Sequence, residues 1–285
     1  MERRAAGMKK SAELFQDICR CYIGKQIPLA SAALSYYLTM TFFPLVICLY
    51  TLLGKNYERA LAILAFLEEF LSRDTIETIS SFLHYVADNH SNAMFYAGML
   101  LMLSSASAAV RSMQITIGRM QGGRRYGGIL AILFSILFSV VFLLATYFAI
   151  LVMFSSRDLL EVLNKGIPFL DISRSWHWIK YLILFGLLFL IQWAIFTVSR
   201  GKHMRYRTFP GALLSTVGMV AMSMVFARFI AVSARYSLVY GSLASMILLM
   251  YWLYLSCQII YVGAAFNISL RDKKDSKEET NENSG

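Results

Sequence analysis

The sequence predicts an all-α polytopic membrane protein with six transmembrane helices. Its 285 residues are 58% hydrophobic and only 15% charged, whereas soluble domains are about 45–50% apolar and about 25% charged. Six apolar stretches separated by polar loops each reach the length of about 20 residues that a helix needs to cross the hydrocarbon layer. Basic residues also alternate between successive loops, as expected for a chain that repeatedly crosses a membrane.

The predicted transmembrane domain spans residues 27–270. Its six spans are residues 27–53, 93–117, 129–154, 179–199, 211–232 and 241–270. The last span is long for one crossing, so its ends are expected to tilt or to project into the interface.

Loop charges set the predicted orientation, because lysine and arginine are retained on the cytoplasmic side. Basic residues dominate three segments, namely Arg3, Arg4, Lys9, Lys10, Arg20 and Lys25 before the first span, Arg119, Arg124 and Arg125 after the second, and Arg200, Lys202, Arg205 and Arg207 after the fourth. By contrast, the loop between the first and second spans has three bases against six acids, and the loop between the third and fourth spans balances three acids with three bases. The pattern predicts that both termini are cytoplasmic.

Three further pieces lie outside the spans. Residues 1–26 are predicted to form an amphipathic helix along the inner surface, because Leu14, Phe15, Ile18, Cys21 and Tyr22 recur at helical spacing. Two short extracytoplasmic helices are expected between the first and second spans, from the apolar stripes Ile63, Phe66, Leu67, Phe70 and Ile76, Ile79, Leu83, Val86. The charged segment 271–285 is predicted to be a disordered cytoplasmic tail.

Polar residues inside the second span are candidates for function, because such groups are costly in hydrocarbon unless they are partnered or hydrated. They form one helical stripe, namely Ser104, Ser107, Arg111, Gln114 and Gly118. Either the serines permit close packing and Arg111 extends to the headgroups, or Arg111 and Gln114 form the cytoplasmic end of a polar cavity that meets an anionic group.

The sixth span carries two polar stripes. The first consists of small or amide residues that favour helix packing, namely Gly241, Ser242, Ser245, Ser256, Gly263 and Asn267. On the opposite side lie Tyr251, Tyr254, Gln258 and Tyr261. Tyr254 and Gln258 either line a cavity or satisfy one another within the bundle.

Two other spans contain candidate residues. In the first span, Tyr36 is a candidate cavity residue, and Pro44 is expected to bend the helix because proline removes a backbone donor. The bend is either architectural or a hinge. Near the outer end of the fifth span, Arg228 and Arg235 either extend to phosphates at the outer surface or form an outer counterpart of Arg111.

The sequence predicts no catalytic residues, metal site or cofactor. His84, His90, His177 and His203 are isolated from carboxylates at metal-ligand spacing, and none of the six spans contains an acid. The formal charge of +10 is spread over short loops, so membrane topology explains it better than nucleic-acid binding.

Several motifs resemble the YihY/BrkB family of bacterial inner-membrane proteins. They are Ala32-Ala33-Leu34-Ser35-Tyr36-Tyr37 with Phe42-Phe43-Pro44, Phe209-Pro210-Gly211-Ala212, Tyr240-Gly241-Ser242-Leu243-Ala244, and Trp252-Leu253-Tyr254 with Gly263-Ala264 and Asn267. The resemblance implies six spans in the inner membrane and, as the usual proposal, transport. Some members are called virulence factors, and many were once labelled ribonuclease BN. Ala265 stands where the family commonly has a glutamate, so that residue cannot couple transport here.

These observations lead to one functional hypothesis and two alternatives. We expect a transporter or exporter of a small, anionic or amphipathic solute, in contact with membrane lipids. A non-transporting scaffold that docks an envelope protein or handles lipids is the first alternative. A ribonuclease is the second and is disfavoured, because the cytoplasmic loops supply mostly lysine and arginine rather than metal-holding carboxylates.

Overall fold

The protein is described by a computed structural model at residues 16–53, 92–121, 129–154, 172–199, 208–232 and 242–282. Every regular element in these ranges is an α-helix, which confirms the all-α fold class. Helix α1 covers residues 16–24. The others are α2 (Ile27–Leu53), α3 (Asn92–Met120), α4 (Ile129–Phe154), α5 (Ile172–Val198), α6 (Phe209–Val232) and α7 (Ser242–Glu282).

Five of these helices are long and apolar enough to cross a membrane. Within the described residues the qualifying segments are Tyr96–Met120, Ile132–Ala149, Ile179–Val198, Phe209–Phe229 and Met246–Lys273. Large apolar side chains such as Leu100, Leu182 and Met224 are exposed on the bundle surface. Such a surface suits lipid, since soluble proteins rarely expose apolar patches of this extent.

The helices from α2 to α7 form a closed ring in chain order. Each packs against the next, and α7 also packs against α2, with a smaller contact between α7 and α3. The most extensive contacts are those of α2 with α3 and of α6 with α7. Within the ring, α4 and α5 share the smallest contact.

The apolar core lies toward one end of this ring. It is built where the first half of α2 and the first turn of α6 meet the second half of α3, the last turn of α5 and the middle of α7. Its buried members are Ile27, Leu34, Ala109, Met113, Ile117, Met120, Phe196, Ala212, Cys257, Tyr261, Ala264, Ala265 and Ile268. This is the end at which the sequence predicts the cytoplasmic side.

A tight turn joins α1 to α2. The Lys25 N–H donates to the Cys21 carbonyl at 3.0 Å, which ends α1, and the Ala30 N–H donates to the Gln26 carbonyl at 3.1 Å, which begins α2. Gln26 has a φ of 52°, a left-handed conformation that is uncommon for a residue with a Cβ. Pro28 lies in the first turn of α2, where a missing N–H removes no helical bond.

The structure differs from the sequence prediction at the carboxyl end. Helix α7 continues to Glu282, whereas residues 271–285 were expected to be disordered. The segment after Leu270 lacks glycine and proline up to Glu282 and is rich in lysine and glutamate. These residues propagate a helix that is already nucleated, even where they bury little surface. Helix α5 also begins earlier than its predicted span, at Ile172.

Two predicted features lie outside the described residues. These are the short helices between the first two spans, which fall within residues 54–91, and the first part of the amphipathic helix, residues 1–15. The described part of α1 packs against the core through Cys21 and Tyr22.

Candidate functional site

A groove lies between α2 and α3, next to the turn that follows α1. It has a volume of about 520 Å³. Both helices contribute a row of residues one turn apart, because side chains three or four positions apart share a helical face. The α2 wall consists of Leu29, Ala30, Ala33 and Tyr37, and the α3 wall of Ala108, Arg111, Ser112, Ile115, Thr116 and Arg119. Lys25 and Gln26 lie at the turn.

Three basic side chains face this groove, namely Lys25, Arg111 and Arg119. No carboxylate in the described part of the chain lies within ion-pair distance of any of them. The described ion pairs are elsewhere, between Arg271 and Asp272 at 2.6 Å and between Lys273 and Asp17 at 3.9 Å. The groove therefore has an excess of positive charge.

Arg111 is the unusual member of this group because of its depth. It lies three residues from the midpoint of the apolar segment Tyr96–Met120 and is exposed. None of the helices α2 to α6 contains an aspartate or glutamate, and the first one in α7 is Asp272. Arginine near the centre of a membrane helix costs about 2.5–3.5 kcal/mol on insertion scales and is commonly paired. The helices that surround Arg111 supply no such anion.

Hydroxyl groups form the back of the groove. The Thr116 hydroxyl donates to the Ser112 carbonyl at 2.9 Å. Behind them Tyr261 of α7 is fully buried, with its hydroxyl close to those of Ser112 and Thr116. Nevertheless, no hydrogen bond of ordinary geometry satisfies the Tyr261 hydroxyl within the described residues.

The structure separates Gln114 from Arg111. Gln114 is buried and accepts a hydrogen bond from the Ser135 hydroxyl of α4 at 3.3 Å. Residues three positions apart differ by about 60° around a helix, which is enough for them to face different neighbours. Gln114 therefore belongs to the contact between α3 and α4 and does not line the groove.

Tyr36 and Tyr37 are adjacent in α2 but also face different surroundings. Tyr36 is exposed, and its ring lies edge-on to that of Tyr37 with centroids 5.7 Å apart. Only Tyr37 lines the groove. Pro44 is buried within α2, which continues through it from Ile27 to Leu53.

The stripe of tyrosine and glutamine residues on α7 contacts α1 through Gln258. The Tyr22 hydroxyl donates to the Gln258 side-chain carbonyl at 2.9 Å. Tyr254 lies beside Tyr251, with ring centroids 6.5 Å apart. Burial raises the pKa of Tyr22, and the neighbouring Tyr254 raises it further. Burial also raises the pKa of the Cys21 thiol.

The small-residue stripe of α7 packs on α6. The Asn267 side chain accepts a hydrogen bond from the Gly211 N–H at 2.7 Å and donates one to the Thr208 carbonyl at 3.0 Å. It thereby satisfies a free N–H in the first turn of α6, as a capping residue does. Gly263 lies one turn earlier in α7, and an added Cβ there would be 2.6 Å from the Gly211 carbonyl oxygen.

A buried polar chain continues this contact toward α5. The Ser215 hydroxyl donates to the Gln192 side-chain carbonyl, and the Gln192 amide lies 3.1 Å from the Met219 sulfur. The Thr197 and Thr208 hydroxyls are 2.9 Å apart. These bonds join α5 to α6 and to Thr208 just before it, on the side of the ring away from the groove.

The remaining predicted residues lie apart from the groove. Arg228 is exposed on α6, beyond its middle. Ser242 begins α7, but the side chains of Ser242 and Ser245 lie outside the described part, as does Gly241. Sequence reasoning used Lys25 and Arg119 only as orientation signals and did not assign them to a site. The sequence signal that could have grouped the three is their position, because Arg119 follows Arg111 on α3 and Lys25 lies just before the adjacent helix α2.

The described residues contain no cluster of three or more histidine, cysteine or acidic side chains that could hold a metal ion. The polar side chains that line the groove instead carry guanidinium, ammonium, amide and hydroxyl groups, all of which can donate hydrogen bonds.

Comparisons with known proteins identify the family. A family model described as Virulence factor BrkB matches residues 18–285. The chain is 26% identical over 250 residues to the ribonuclease-like protein YfkH of Bacillus subtilis (strain 168), covering 86% of this chain and 90% of that protein. It is 30% identical over 96 residues to a UPF0761 membrane protein of Alteromonas mediterranea, covering 34% of this chain and 31% of that protein. No solved structure matches the chain. Because the family model covers nearly the whole sequence, this chain belongs to the BrkB family of membrane proteins.

Proposed function

We propose that this protein is a transporter or exporter of an amphipathic solute, which enters through the groove between α2 and α3. The observation that carries the proposal is Arg111, an exposed arginine near the middle of an apolar helix with no anion in the helices around it. A fixed charge at this depth is typical of substrate and ion pathways in membrane proteins.

The proposal includes six crossings of the inner membrane with both termini in the cytoplasm. Helix α2 is the sixth crossing, since its 27 residues contain no charged side chain. The orientation follows from the basic residues at the groove end of the bundle. On this topology the mouth of the groove, at Lys25 and Arg119, opens at the cytoplasmic headgroups.

Energy coupling limits the kind of transport. The first acid of α7 is Asp272, and α2 to α6 have none, so these helices offer no carboxylate for proton or sodium coupling. We therefore propose downhill movement or movement driven by an envelope protein partner.

We also propose that the chain is not an enzyme. The ribonuclease-like name belongs to the YfkH relative, and the groove lacks the carboxylate and histidine pairs that hydrolysis generally uses.

A second candidate is a lipid-handling protein that does not catalyse net transport. The observation that favours it is the lateral opening of the groove, where Leu29 is 68% exposed. On that surface a bound lipid could exchange with the bilayer without crossing it.

Flux measurements in proteoliposomes separate the two candidates. The wild-type chain should move a fluorescent anionic amphiphile between leaflets faster than empty liposomes do, and Arg111→Ala should lose most of that gain. The control is Arg20→Ala, because Arg20 is an exposed basic residue on α1 outside the groove. Flux equal to that of empty liposomes would reject transport. Equal flux in wild type and Arg111→Ala would reject the groove as the route.

A further inference from the structure

We propose that the groove between α2 and α3 binds one anionic phospholipid, with its phosphate held by Arg111, Arg119 and Lys25 and an acyl chain lying between the two helices. The inference deepens the proposed function and rests on the same groove. It concerns what is bound rather than whether it is moved.

The donors of the groove match a phosphate group. Arg111 and Arg119 are eight positions apart on α3, which is about 12 Å along the axis. Guanidinium side chains are long enough to converge from that separation on one group placed between them. A phosphate presents several acceptor oxygens, so it can accept from two guanidinium groups and one ammonium at once.

The groove also changes in character with depth. Because α2 runs inward from Lys25 and α3 runs outward to Arg119, these two residues meet at the mouth, and Arg111 lies about 12 Å deeper along α3. Near the level of Arg111 the walls become small and apolar at Ala33 and Ala108. Alanine side chains leave a trough between the helices. A phosphate between Arg119 and Arg111 and an acyl chain in the trough fit this gradient better than a fully water-soluble anion does.

Hydroxyl groups also line the back of the groove. Ser112 and Thr116 face it, and behind them the hydroxyl of the fully buried Tyr261 lies close to theirs. A polar headgroup in the groove can therefore form hydrogen bonds with Ser112 and Thr116 as well as with the basic side chains.

The lipid is inferred to be anionic because the described lining of the groove contains three basic side chains and no acidic one. The two acids whose side chains are described, Asp272 and Asp17, form ion pairs with Arg271 and Lys273. A zwitterionic headgroup brings its own cation next to these three bases, whereas an anionic one does not. The cytoplasmic leaflet is also rich in anionic lipid.

Binding to the full-length chain in a non-ionic detergent tests the inference without any requirement for transport. Delipidated protein is titrated with short-chain phosphatidylglycerol, with phosphatidylcholine of the same chains, with a fatty acid of the same length and with glycerol phosphate. Bound lipid is counted by native mass spectrometry. We expect one tightly bound phosphatidylglycerol, at least about tenfold weaker binding of the other three ligands, and a comparable loss in Arg111→Ala.

Matched variants keep the test independent of folding. Arg111→Lys should retain part of the affinity, because it keeps the charge but not the bidentate geometry. Arg119→Ala should weaken binding, whereas Arg20→Ala should not. Each variant is compared only if it elutes as the wild type does in size-exclusion chromatography.

Several outcomes would overturn the inference. Equal affinity for phosphatidylcholine would show that the groove does not select charge. Equal affinity for the fatty acid or for glycerol phosphate would show that the phosphate or the acyl chain, respectively, is not recognised. Unchanged affinity in Arg111→Ala would remove the site. Selective lipid binding without flux would retain this inference and reject transport, whereas Arg111-dependent flux without lipid binding would do the reverse.

Discussion

Replacing Gly211 by alanine tests the close contact between α6 and α7. Gly211 lies in the first turn of α6, against α7. An added Cβ would lie 2.1 Å from the Gly263 carbonyl oxygen and 2.4 Å from the Asn267 side-chain nitrogen. Both distances are far below van der Waals contact, and the first involves backbone that has no rotamer to relax. The two helices must therefore move apart.

The expected destabilisation combines three terms. Overpacking typically costs about 1–3 kcal/mol. Separation of the helices also stretches the two Asn267 hydrogen bonds, of 2.7 and 3.0 Å, each worth about 0.5–1.5 kcal/mol. Against these, alanine favours a helix over glycine by about 1 kcal/mol. The net loss in the free energy of unfolding should be about 1–5 kcal/mol.

Gly186→Ala is the matched control, because nothing lies within 4 Å of a Cβ built at Gly186 in α5. This variant should be neutral or more stable by about 0.5–1 kcal/mol. Unfolding of both variants is followed by circular dichroism in mixed detergent micelles of increasing SDS fraction. Gly263→Ala addresses the same contact, so the double variant with Gly211→Ala should lose less than the sum of the single losses. If Gly211→Ala and Gly186→Ala unfold at the same SDS fraction, the close approach of α6 and α7 is wrong.

Three other predictions concern the contacts of α7 and α1. Asn267→Leu removes the side chain that caps α6 and should destabilise the bundle by about 2 kcal/mol in the same unfolding assay; an unchanged midpoint would contradict the capping role. Tyr22→Phe removes the bond to Gln258, so amide hydrogen exchange in α1 should accelerate by about 2- to 12-fold, and unaltered exchange would show that the bond does not hold α1. Burial raises the pKa of Cys21 while Lys25 opposes the rise, so less thiolate is present at a given pH. Maleimide labelling of a variant that retains only this cysteine should be slower than that of free cysteine at pH about 8, and slower still when Lys25→Ala is added to that variant. Faster labelling after the Lys25→Ala change would show that Lys25 does not lower the pKa of Cys21.

The sequence was sufficient for the class of fold because membrane helices leave strong, local signals. Length, apolar composition and the absence of internal acids are properties of each helix by itself, and all survive in the structure. The end of α7 is not predicted by hydrophobicity, because its residues after Leu270 are charged and polar. A charged, glycine-free segment can continue a helix whose first turns are fixed elsewhere.

The candidate site was harder to predict because it depends on pairs of helices. A stripe on α3 indicated that Arg111 and Gln114 share a side, yet their neighbours differ, since Gln114 bonds Ser135 of α4. Likewise Gln258 was a candidate cavity residue, but it bonds Tyr22 of α1. Helical periodicity gives the direction in which a residue points and does not identify the partner on that side.

The closed ring has a consequence for how the protein is made. Helix α2 leaves the ribosome before the other helices of the ring, but one of its two neighbours is α7, which leaves last. During synthesis the ring is therefore incomplete, and the α2 surface that later contacts α7 stays uncovered until translation is nearly complete. Nascent chains that stop before α7 should lack the contact that closes the ring, and they should be preferred targets for membrane proteases and insertion chaperones.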